Sequence, residues 1–134
     1  MFLDRLTKEE KILFLDLASY ASQCNGIVDN LENDLLYQYT KEIGIESYDY
    51  SEAHHTLEDI TANFSVVSEA KKRIIVLELL GICCIDGDYD NIEKAFVSDF
   101  ATNIGIDEKT FQKLNHDINE YITILGIMED HIEE

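Results

Sequence analysis

The stretch Asn25-Gly-Ile-Val-Asp-Asn-Leu-Glu32 recurs as Asp86-Gly-Asp-Tyr-Asp-Asn-Ile-Glu93, and each copy is followed at the same distance by Ile-Gly-Ile, at Ile43 to Ile45 and Ile104 to Ile106. Gly26 and Gly87, Asp29 and Asp90, Glu32 and Glu93, and Gly44 and Gly105 all stand 61 positions apart, so one offset serves the whole window. Seven of its 21 aligned positions are identical, where chance gives roughly one or two. The chain reads as a duplication, and an acidic turn kept in both copies is the first place to look for chemistry.

Glycine and cap residues divide the chain into helices. Gly26, Gly44, Gly87, Gly105 and Gly126 each follow an apolar-periodic segment, where a helix ends in a left-handed cap, whereas Gly81 falls inside one. Thr7-Lys-Glu-Glu10, Asp29-Asn-Leu-Glu32 and Asp90-Asn-Ile-Glu93 each place an N-cap oxygen three residues ahead of a glutamate that can reach back, and Ser68 and Asp107 are simpler caps. Six helices follow, near 8–24, 30–43, 51–64, 69–85, 91–104 and 108–125. Strand signals are lacking.

The expected fold is therefore all-α: a single domain over 1–134, of about six to seven helices, in two pseudo-repeated three-helix halves at about 7–64 and 68–126. Neither half has the apolar area to stand alone comfortably, so the two should share one core. The 8–24 and 69–85 helices are apolar around most of their circumference and belong at its centre.

Charge limits the partners. Twenty-eight acidic residues against ten basic ones leave a formal charge of -18, which repels nucleic acid and anionic membranes and favours cations and basic protein surfaces. Cys24, Cys83 and Cys84 are an odd number set in apolar runs without C-x-x-C spacing, a pattern of reduced thiols in a cytoplasmic protein. Residues 1–6 lack the form of a signal peptide, and the apolar run from Ile74 to Ile85 is too short to span a bilayer and is interrupted by Glu78, so direct membrane insertion is not expected. The sequence leaves the oligomeric state open.

Asp86, Asp88 and Asp90 alternate as calcium-loop ligands do, but an EF-hand needs glycine at its sixth position and glutamate at its twelfth, where this chain has Asn91 and Val97. Two readings of the turns stay open. In one, Asp29 and Asp90 are helix caps completed by Glu32 and Glu93, each cap worth about 1 kcal/mol, and Asp88 is left without a task. In the other, Asp86, Asp88, Asp90 and Glu93 hold a divalent cation (Ca, Mg, Mn or Zn), with Asp29 and Glu32 a poorer second copy.

Phe14-Leu-x-Leu-Ala18 leading into Asn25-Gly-x-Val-Asp-x-x-Glu32, then Lys41-Glu-Ile-Gly-Ile45, then Glu78-Leu-Leu-Gly-Ile82 leading into Asp86-Gly-x-Tyr-Asp-x-x-Glu93, resembles the TerB-like tellurite-resistance family over roughly residues 6 to 126. The resemblance implies a bacterial, all-helical, pseudo-repeated domain of tellurite and chemical-stress systems, without catalytic activity, whose acidic motifs are regarded as metal sites. That family's first motif usually reads Ala-Asp-Gly, and Cys24-Asn25-Gly26 here lacks the carboxylate. The alternative function is an acidic protein–protein interaction adaptor in which the turns are only helix caps.

Among the remaining residues, Glu78 sits in the apolar run of a central helix, where a buried carboxylate must be paired, hydrogen-bonded, ligating or protonated. Asp16 is a weaker case of the same kind. His54, His55 and His116 read as surface histidines, since neighbours on a helix point about 100° apart, and Cys83 and Cys84 as inert core residues. Tyr37, Tyr39, Tyr48 and Tyr50 read as packing between the second and third helices. No nucleophile–base motif, phosphate loop or H-E-x-x-H is present, so the chain is not read as an enzyme.

Overall fold

The computed structural model describes residues 2–23, 41, 55–84 and 91–134, and among them the protein is wholly helical. A 3-10 turn, Leu3–Arg5, is followed by α1 (Lys8–Gln23), α2 (Leu57–Phe64), α3 (Glu69–Cys84), α4 (Asn91–Asn103) and α5 (Glu108–Glu133). The expected 30–43 helix lies outside the described residues, apart from a helical Lys41.

Local chemistry sets the helix starts. Thr7 and Glu10 form a reciprocal capping box: the Thr7 amide donates to Glu10 Oε1 at 2.8 Å and the Glu10 amide to Thr7 Oγ1 at 3.2 Å. Ser68 Oγ accepts the Lys71 amide at 3.3 Å, and Asp107 Oδ1 accepts the Thr110 amide at 2.7 Å. The hydrogen bonds to Thr110 hold the exposed Asp107 carboxyl below its ordinary pKa. The first residues of α1 and α3, Lys8 and Glu69, stand 61 positions apart.

Two boundaries differ from the sequence expectation. The 51–64 helix begins only at Leu57, because Thr56 is its N-cap and accepts the Asp59 amide at 3.1 Å. The last helix runs past Gly126 to Glu133 instead of stopping at 125. Only Gly105 among the described glycines has a positive φ, 96°. There α4 ends in a full Schellman motif, with Ile106 N–H bonded to Ala101 O at 2.9 Å and Gly105 N–H to Thr102 O at 3.1 Å. Gly126 lacks the buried apolar residue that Ile106 supplies after Gly105: both Ile127 and Met128 are exposed.

α1 is buried continuously from Leu13 to Ser19, and in α3 every residue from Ile74 to Cys84 is buried except the partly covered Leu77 and Gly81. α3 is the hub, packing at once on α1, α4, α5 and the 3-10 turn. Ile60 and Phe64 of α2, Val97, Phe100 and Ala101 of α4, and Phe111, Leu114 and Ile118 of α5 complete the core. Phe64 meets Phe100 edge-on at 6.4 Å between ring centres. No described helix is long and apolar enough to cross a membrane.

Candidate functional site

Four polar residues are buried among these helices: Asp16, Ser19, Glu78 and Glu93. Carboxylates are seldom taken out of water without compensation, so the partners of three of these residues are the places to look for function.

Glu78, 4% exposed at the middle of α3, accepts the Phe2 amide on Oε1 at 2.6 Å. Leu3, in the 3-10 turn, and Leu6, directly after it, are buried, and the turn closes through Arg5 N–H to Phe2 O at 3.1 Å and Leu6 N–H to Leu3 O at 3.0 Å. Glu78 thus meets the amide end of a short helical turn, where a negative charge is favoured. The central placement read from the sequence holds, and one partner comes from the chain's first residues, 76 positions away.

Asp16, fully buried in α1, meets His55 Nδ1 through Oδ2 at 2.5 Å. One turn further along α1, the Tyr20 hydroxyl donates to the His55 carbonyl at 2.9 Å. The two side chains together pin the residue just ahead of the α2 cap. His55 lies at the surface, as the sequence suggests, its ring 41% exposed, but it is anchored to a buried carboxylate. His55 also lines a shallow depression with Glu9, Ile12, Leu13 and Asn63.

Of the residues proposed for the acidic turns, Asp29, Glu32, Asp86, Asp88 and Asp90 lie outside the described residues, as do His54 and the four tyrosines between 37 and 50. Glu93 is described: it lies in the first turn of α4, 5% exposed. Glu78 and Glu93 are both buried, but among the described residues no three His, Cys, Asp or Glu side chains converge as a metal site. His116 is exposed and pairs with Glu120 one turn on, at 3.0 Å. Cys83 and Cys84 are shut in the core, as the flanking isoleucines suggested.

The Asp16–His55 pair was not legible as a pair in the sequence, because its members are 39 positions apart. A charged residue inside the apolar run of α1 was the available signal. Compared with known proteins, the chain matches no family model, no curated protein and no solved structure.

Proposed function

We propose that the chain is a non-catalytic, acidic TerB-like domain, built from two pseudo-repeated halves, that binds a divalent cation at its second acidic turn as part of a bacterial, cytoplasmic response to tellurite or other chemical stress. The observation that supports it best is the common register of α1 and α3, which start 61 positions apart, at Lys8 and Glu69, the same offset that separates the two acidic turns in the sequence. Asp86, Asp88 and Asp90 supply three carboxylates within five residues, where the first turn has only Asp29 at equivalent positions. Hard divalent cations are held by several such oxygens. Glu93, buried in the first turn of α4, is either a further ligand or the capping glutamate.

The test is a thermal melt of the full chain in excess chelator and in Ca²⁺, Mg²⁺, Mn²⁺ and Zn²⁺ separately, repeated with Asp88→Asn. A cation that binds only the folded chain adds about 2.7 kcal/mol at a hundredfold excess over its Kd. Asp88→Asn should reduce that gain while leaving the chelated protein's melting point nearly unchanged. No gain with any of the four ions would leave the turns as helix caps and the chain as an adaptor.

A further inference from the structure

α5 does not end where its work in the core ends. Its buried residues are Phe111, Leu114 and Ile118; past them Ile122 still packs, partly buried, on the core, and no later residue is buried, although the helix continues to Glu133. That second half is not polar. Tyr121, Ile124, Met128 and Ile132 are exposed, Ile132 by 82%, and with the half-covered Leu125 they fall at i, i+3, i+4, i+7 and i+11. This spacing makes a single seam about 16 Å long, of the kind that interlocks with a second helix.

Charge indicates what covers the seam. No Lys or Arg follows Lys113, while Glu120, Glu129, Asp130, Glu133 and Glu134 all lie on this half. At about 100° per residue, Glu129 and Glu133 form a row along one side of the seam and Glu120 lies on the other. A second copy would bring another acidic border and another charge of -18 to the contact, and an anionic bilayer would be repelled in the same way. A helix with an apolar stripe edged by Lys and Arg satisfies both parts of the surface.

We propose that the exposed half of α5 docks a basic amphipathic helix of a partner protein, with Tyr121, Ile124, Met128 and Ile132 as its apolar anchors. The acidic border steers and orients the partner, and the apolar seam holds it. This docking does not depend on whether the acidic turns take a cation.

The test titrates the full chain, in excess chelator, into three labelled peptides, read by fluorescence anisotropy. One has Leu and Lys patterned at the helical period, one has the same composition scrambled, and one has Leu and Glu at the helical period. The patterned Leu/Lys peptide should bind at least about tenfold more tightly than the scrambled one, and the Leu/Glu peptide should not bind. The double replacement Ile124→Asn with Met128→Asn removes two exposed anchors and should weaken binding about tenfold or more with an unchanged melting point. Equal binding of patterned and scrambled peptides, or equal binding by the altered chain, would overturn the proposal. So would a concentration-dependent dimer in sedimentation that the double replacement abolishes, since the occupant would then be a second copy.

Discussion

Lys71 Nζ lies 2.9 Å from Glu10 Oε1, and the two residues are separated by the same 61 positions as the acidic turns. Equivalent positions of a duplicated chain meet only near the axis that relates the copies, so this contact accords with the pseudo-repeat proposed above. It also joins the first turns of the two central helices. Burial opposes ionisation of Glu10, but hydrogen bonds from Lys71 and Thr7 and the Lys71 charge outweigh it and hold the carboxyl below its ordinary value of 4.5.

A group whose folded pKa is depressed contributes stability above its unfolded pKa and loses it as pH falls through the folded value. Glu10→Gln should therefore lower the melting point near neutrality and cost progressively less below 4.5. The Glu10/Lys71 double-mutant cycle should give a coupling of about 0.5–1 kcal/mol, since both side chains keep some contact with water. Urea melts of the four proteins across acid pH check both statements.

Glu78→Gln keeps an oxygen for the Phe2 amide and should cost about 1 kcal/mol, whereas Glu78→Ala removes the acceptor and opens a cavity, at about 2–4 kcal/mol. Chemical denaturation measures the difference. Amide exchange at Phe2 should be slow in the native chain and fast in Glu78→Ala.

His55 and His116, also 61 positions apart, should respond unequally to alanine. His55→Ala leaves the fully buried Asp16 without its imidazole and should cost about 1–3 kcal/mol. His116→Ala breaks an exposed pair with Glu120 and should cost about 0.5 kcal/mol or less. Equal losses would show that the Asp16 contact contributes little.

Gly105 and Gly126 should respond with opposite signs. Gly105 holds φ +96°, and a Cβ there would stand 3.3 Å from Lys72 Nζ, so Gly105→Ala should destabilise by about 1–2 kcal/mol. Gly126 lies inside α5 with nothing within 4 Å of an added Cβ, so Gly126→Ala should stabilise by about 0.5–1 kcal/mol. Thermal melts of the two variants decide the matter.

The contrast between these glycines shows what the sequence could convey. Thr7 with Glu10, Ser68 and Asp107 are legible because a cap and its partner amide lie within one turn, and α1 and α3 because apolarity on every face admits no outer position. The two glycines look alike in sequence, but only Gly105 is followed by an apolar residue that reaches the core, and that depends on how α4 docks on α3. α2 starts later than the sequence suggests for a similar reason: Asp16 and Tyr20, distant in sequence, grip His55 beside the Thr56 cap. Glu78 announced its need for a partner, yet nothing local could name Phe2.

The position of α3 has a consequence for how the molecule opens. With α1, α4, α5 and the 3-10 turn all resting on it, no neighbour can detach without wetting apolar side chains of the 74–83 segment. Native-state exchange should therefore find the amides from Ile75 to Cys83 released only by global unfolding, while those past Ile118 escape by fraying of the helix end. It follows that the helices before and after Ser68 are not separable modules: a fragment ending at Phe64 would lack the helix that organises the core, and a fragment starting at Ser68 would leave the face of α3 that meets α1 open to water.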